Sequence, residues 1–145
     1  MVINKHCFFF TPRVWSKFVE QHIALDSIKV FNANHFYWLP GHLLCSTIIQ
    51  MKNLEELHIK GTQVCTVHQV AKILQSCPKI KKLEFTYTEK SQEEIADGLK
   101  KENISLESLT AGFQQLTSLK LSTTVPDPQH DVFKDPWLLL IKMLT

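Results

Sequence analysis

The sequence has few glycines and lacks the motifs that bind phosphate through glycine-rich loops. Four of its 145 residues are glycine, and neither GxGxxG nor GxxxxGK[ST] occurs. Such loops need glycine because the backbone must approach the phosphate closely. The sequence therefore offers no nucleotide-binding loop, and we expect no cofactor.

The chain also lacks a long apolar run and an excess of one charge. No stretch approaches the roughly 18 uninterrupted apolar residues of a transmembrane helix. The apolar run at residues 7–10 is far shorter than the core of a signal peptide. With 16 basic and 14 acidic residues, the net charge is only +2. We expect a cytoplasmic or nuclear protein that binds neither membranes nor nucleic acid.

The cysteines lack the close pairs that a zinc site requires. The four thiols are widely separated along the chain, and no CxxC pair occurs. In a reducing compartment they should be free thiols, and we predict no metal site. They are Cys7, Cys45, Cys65 and Cys77.

No catalytic constellation accompanies these thiols. Cys65 and Cys77 have His58 and His68 near them in sequence, but a catalytic cysteine needs a base and an orienting group around a cleft. The pattern favours solvated histidines beside buried thiols, so we predict that the protein is not an enzyme. A hydrolase built on Cys65 or Cys77 is a minor alternative, which slow labelling of both thiols would exclude.

An internal repeat runs along the chain. The pattern apolar-x-x-apolar-x-apolar starts at Leu25, Leu54, Ile80 and Leu116. The first two intervals fall within the leucine-rich repeat period of about 20–29 residues, and the third is longer. Within LEELHIK, apolar and polar residues alternate with the period of a half-buried strand. Helix signals follow the strands: residues 66–69 fit a capping box that begins at Thr66, and Cys77 before a proline ends that helix. We therefore predict strand–helix units with parallel strands.

The start of the fourth unit is ambiguous from spacing alone. Leu106 follows Ile80 at the same interval at which Ile80 follows Leu54, so it competes with Leu116. We prefer Leu116 because Leu119 and Leu121 complete the strand pattern, whereas Gly112 interrupts it in the other alignment.

Three segments resemble a known family. LQSCPKIKKLEF, in which Cys77 precedes a proline, and MKNLEELHIKGTQV are similar to the cysteine-containing leucine-rich repeats of F-box/LRR proteins. TPRVWSKFVEQHIALDSIKVFNAN resembles the link between an F-box and its first repeat. The resemblance, over about residues 11–124, implies an α/β fold: a short solenoid of about four strand–helix units. A parallel sheet would form its concave face, helices its convex face, and an N-terminal helix its cap.

This resemblance predicts the division of the chain. Residues 1–24 would be the capping segment, and residues 25–145 the leucine-rich repeat domain. Nothing before Thr11 could supply an F-box, and the chain ends within a predicted helix that begins at Pro136. We therefore expect a fragment, a shortened form whose C-terminus is truncated, or a protein whose last helix docks onto a partner. The loop at residues 125–134 is either functional or disordered.

The resemblance also implies a function. Such domains hold a target protein for an SCF-type E3 ubiquitin ligase, so the expected partner is a protein. SCF components, through a Skp1-type adaptor, would join if a longer form carries an F-box. The alternative is a stand-alone LRR scaffold or decoy without a ligase link.

The predicted binding surface is the concave face of the sheet. Outward strand positions of neighbouring units should form lateral rows. We expect Phe31 to be an exposed aromatic anchor. The predicted protein-binding residues are Lys29, Phe31, Glu56, His58, Lys60, Lys82, Glu84 and Lys120.

Overall fold

Strands and helices alternate along the chain. The computed structural model describes residues 12–22, 24–89 and 91–123. The described elements are α1 (Pro12–His22), a 3₁₀ turn (Leu25–Ser27), β1 (Val30–Asn32), α2 (Gly41–Ile48), β2 (Glu56–Ile59), α3 (Val67–Ser76), β3 (Lys82–Tyr87), α4 (Gln92–Lys101), α5 (Leu106–Gln114) and β4 (Ser118–Thr123).

The described strands form one parallel sheet in the order β1-β2-β3-β4. Parallel neighbours need a crossover connection, and here each crossover contains one or two helices. Each strand pairs with the next one along the chain, so the order in the sheet equals the order in the sequence. The predicted α/β class, with parallel strands joined through helices, is confirmed.

One side of the sheet faces the hydrophobic core. Leu57 lies opposite Leu83, which in turn lies opposite Leu119. In β2, Leu57 and Ile59 are fully buried, while Glu56 and His58, which alternate with them, are only half-buried. This alternation is the period of two that the sequence predicted for the second unit.

The first unit starts later than predicted, at Ile28 instead of Leu25. Phe31 pairs with Leu57, so the inward positions of this unit are Ile28, Phe31 and Ala33, all with 0% exposure. The predicted start, Leu25, lies in the 3₁₀ turn. Both alignments satisfy the same apolar pattern, and burial of the Phe31 ring decides between them.

The fourth strand begins where the preferred alignment placed it. Leu119 lies opposite Leu83, and Leu121 lies opposite Phe85. The competing start, Leu106, is instead the first residue of α5 and is 46% exposed. The third crossover therefore contains two helices, which explains its greater length.

The predicted helix signals are in place. Thr66 accepts a hydrogen bond from the Gln69 amide, and the Gln69 side chain returns to the Thr66 backbone, which completes a capping box. Ser91 likewise accepts from the Glu94 amide at the start of α4. Cys77 ends α3, is fully buried, and its thiol lies 3.3 Å from the carbonyl oxygen of Ile48.

An aromatic cluster closes the core at its β1 end. The Trp15 ring of α1 meets Phe36 and Trp38 edge-on, each at 6.2 Å between ring centroids. Its indole N–H donates to the hydroxyl of Thr47 over 3.4 Å. On α1, Trp15 and Val19 are buried, whereas Val14 is 44% exposed.

Several predictions fall on residues that the structure does not describe. These concern residues 1–11, the loop at 125–134 and the helix from Pro136. They stay predictions.

Candidate functional site

The face of the sheet opposite the core carries polar side chains on every strand. We call it the open face, and it consists of the strand positions that alternate with the core residues. Its members in the four strands are Val30, Asn32, Glu56, His58, Lys82, Glu84, Thr86, Ser118, Lys120 and Ser122.

A hydrogen-bonded network centred on Glu84 joins three consecutive units. Oε2 of Glu84 accepts from the Asn34 side-chain amide over 3.1 Å and lies 3.1 Å from Nδ1 of His58. Asn34 in turn accepts from the backbone amide of Lys60 over 2.8 Å. Because its members come from separate units, this network fixes the lateral positions of side chains that are distant in sequence.

A second carboxylate lies on the other side of the histidine ring. Oε2 of Glu56 is 3.8 Å from Nε2 of His58, and Oε1 of Glu56 accepts from the Lys82 ammonium over 2.7 Å. His58 is thus flanked by Glu56 and Glu84.

These contacts shift the acidity of both carboxyl groups. The hydrogen bond from Lys82 holds the pKa of Glu56 below its usual value. At Glu84, burial opposes ionisation, but hydrogen bonds from Asn34 and His58 outweigh it and lower the pKa. Both groups are therefore ionised at neutral pH, and Oε2 of Glu84 and Oε1 of Glu56 accept hydrogen bonds from within the face.

Two further ammonium groups lie next to this network. Lys60 follows β2 directly and Lys120 lies in β4, and both side chains are exposed. Within the described residues neither forms an ion pair. They are cationic donors that remain available to a ligand on or beside the open face.

From the second unit onward, the predicted rows agree with the sheet register. Glu56 lies opposite Lys82, and His58 lies opposite Glu84, which lies opposite Lys120. Thr86 lies opposite Ser122, and their hydroxyls are 2.7 Å apart. Five of the predicted residues (Glu56, His58, Lys82, Glu84 and Lys120) therefore do share this face.

Two predicted residues do not belong there. Phe31 is 0% exposed and lies on the core side of β1, so it cannot be an exposed anchor. Lys29 precedes β1, and its ammonium pairs with Glu55 at 3.3 Å instead of lying in the row of His58. Both errors come from the misplaced start of the first unit.

The sequence prediction also missed two asparagines. Asn32 pairs with His58 in the register, and Asn34 binds Glu84. Each lies one repeat interval before a residue of the predicted face, His58 or Lys60. Counting the repeat from Ile28 would have found them.

Two thiols, Cys45 and Cys77, sit in environments that suppress their reactivity. Burial raises the pKa of Cys77 to about 11 and also raises that of Cys45. Cys45 and Cys65 are half-buried, and Cys7 lies outside the described residues. Within the described part of the chain, no cluster of three histidine, cysteine or acidic side chains is placed to bind a metal ion.

Comparisons with known proteins identify no relative of this chain. No protein-family model, curated protein or solved structure matches the chain. Among the described residues, no helix combines the length and apolar character needed to cross a membrane. The geometry of the open face is therefore the observation that bears on function.

Proposed function

We propose that this protein is a non-catalytic interaction module built from leucine-rich repeats. The support is the regularity of the first three units in structural register. Ile28, Leu54 and Ile80 start them at two equal intervals, and all three are fully buried. An interval within about 20–29 residues, with one strand per unit, is typical of leucine-rich repeats.

The open face is the proposed binding surface. The observation that carries this proposal is the Glu84 network, which orders side chains from three units before any partner arrives. A preordered polar surface loses less side-chain entropy on binding than a mobile one. Lys60 and Lys120 would contribute the cationic contacts, since both side chains are exposed and neither forms an ion pair within the described residues.

The partner is a protein, and the family resemblance suggests that this partner is a target for ubiquitination. The chain would act like the substrate-recognition region of an F-box/LRR protein, holding a target for ubiquitination by an SCF-type ligase. The alternative is a stand-alone scaffold or decoy that binds the same kind of target without a ligase. Recovery of a Skp1-type adaptor distinguishes the two.

The binding surface is tested by charge reversal. A tagged chain is used to capture partners from cell lysate, which are then identified by mass spectrometry. Lys60→Glu/Lys120→Glu should abolish the specific partner while the far-ultraviolet circular dichroism stays unchanged. Lys17→Glu/Lys101→Glu is the matched control, because it makes the same charge change on exposed residues of α1 and α4.

Each outcome separates the hypotheses. Equal capture by the wild type and the Lys60/Lys120 variant would refute the open-face assignment. A Skp1-type adaptor and a cullin in the wild-type capture would support the ligase role. A reproducible partner without them would favour the scaffold or decoy.

A further inference from the structure

The loop between β1 and α2 holds an aromatic side chain out in solvent. Tyr37 is 66% exposed, whereas Phe36 and Leu39 in the same loop are 1% and 0% exposed. The side-chain amide of Gln63 donates to the carbonyl oxygen of Tyr37 over 2.7 Å, which fixes the backbone below the ring. Exposed tyrosines on an ordered backbone lose little entropy on binding and are enriched among the residues that dominate protein interfaces.

This loop packs against the loop that follows β2. The His35 amide donates to the carbonyl oxygen of Lys60 over 2.8 Å, and the Asn34 side chain accepts from the Lys60 amide over 2.8 Å. A Cβ added at Gly61, where φ is +67°, would lie 2.9 Å from the His35 ring. Because β1 and β2 are parallel, the loops that follow them lie at the same edge of the sheet. We call this edge the rim, and it consists of residues 33–40 and 60–66.

The rim and the open face carry unpaired positive charge. The two loops of the rim contain Lys60 but neither aspartate nor glutamate. The Asn34 side chain joins the rim to Glu84 of the open face, and Glu56 likewise accepts a hydrogen bond from a neighbouring side chain. Lys120 lies opposite Glu84, and its charge helps to lower the pKa of that carboxyl group. Within the described residues, however, neither Lys60 nor Lys120 forms an ion pair.

We propose, building on the proposed function, that the rim and the open face bind an acidic segment of a protein partner whose apolar side chain packs on the Tyr37 ring. Aspartate or glutamate side chains of the segment would pair with Lys60 and Lys120, which gives the interface complementary charge. A nucleic acid fits this surface less well, because its affinity depends on many phosphate contacts and the surface offers two unpaired lysines.

Peptide selection on the wild-type chain tests this partner chemistry. A phage library of random peptides is selected on the folded chain, and the bound sequences are compared with the unselected library. The selected peptides should be enriched in aspartate and glutamate and depleted in lysine and arginine. A synthetic copy of a selected peptide should lose affinity as salt rises, because exposed charges are screened. Selection without acidic enrichment, or no selected peptide at all, would overturn the proposal.

Variants of the chain then locate the bound peptide. In fluorescence anisotropy with the labelled synthetic peptide, Tyr37→Ala should weaken binding about tenfold or more. Leu106→Ala is the matched control, because Leu106 is also a large exposed apolar residue, 46% exposed at the start of α5. It should leave the affinity within about twofold of the wild type. Equal affinity of the wild type and Tyr37→Ala, with unchanged circular dichroism, would contradict the proposed anchor.

Capture from cell lysate separates failure of this proposal from failure of the proposed function. Equal capture by the wild type and Lys60→Glu/Lys120→Glu would refute both. Loss of the partner in that variant, with full capture by Tyr37→Ala and no acidic enrichment among the peptides, would refute only the acidic segment. Loss of the captured material on nuclease treatment would also refute it, because a nucleic acid would then occupy the surface.

Discussion

Replacing Phe31 with alanine provides the sharpest test of the register of the first unit. The ring is fully buried on the core side of β1, beside Leu57 in the sheet. Removing it loses the transfer free energy of the ring and leaves a cavity, at a total cost of about 3–5 kcal/mol. A domain of this size is stable by about 5–15 kcal/mol, so the variant loses a large share of its stability.

Urea unfolding followed by circular dichroism measures this loss. The midpoint should fall with little change in slope, because the surface exposed on unfolding is nearly the same. The melting temperature should drop by about 10 °C or more. Val30→Ala is the control, since Val30 is the neighbouring, half-buried residue on the open face, and it should cost about 1 kcal/mol or less.

The opposite result would refute the reasoning. If Phe31→Ala stays within about 1 kcal/mol of the wild type, the ring contributes little to the core. Partner loss without loss of stability would then restore Phe31 as the exposed anchor that the sequence pattern predicted.

Two further predictions concern a helix start and a titrating group. Gly41→Ala should destabilise the domain by about 1–3 kcal/mol in urea unfolding, because an added Cβ would lie 2.4 Å from the backbone oxygen of Gln63; an unchanged midpoint would contradict this packing. The lowered pKa of Glu84 means that its carboxylate stabilises the fold fully above the usual glutamate pKa and loses this effect as the pH falls through the folded-state pKa. Glu84→Gln should therefore be less stable than the wild type by about 1 kcal/mol at neutral pH, with the gap narrowing in acid. A gap that is independent of pH would show that the carboxylate charge does not matter.

The sequence predicts helix ends correctly where nearby residues alone satisfy the backbone hydrogen bonds or stop the helix. The Thr66 capping box and the helix stop at Cys77 depend on neighbours within a few positions, so the sequence predicted both correctly. The alternation in β2 was equally clear, because one side of that strand is buried and the other is not. The α/β class follows from these local elements repeated in order.

The first unit shows where local pattern fails. Two alignments of the first unit fit the same apolar template: Leu25-x-x-Ile28-x-Val30 and Ile28-x-x-Phe31-x-Ala33. Nothing within the segment itself favours one alignment over the other. Pairing with β2 selects the second, because it buries the large ring of Phe31 against the core. A small residue, Ala33, then fills the third inward position.

The sequence by itself determined the strand–helix units, their caps and most polar residues of the open face. Only the tertiary structure decided which residues meet across units: that Glu84 gathers Asn34 and His58, and that Phe31 lies in the core. The physical reason is that helix caps and strand alternation depend on short-range contacts. Lateral pairing in a parallel sheet joins residues about one repeat apart, and it is settled by how well whole units pack together.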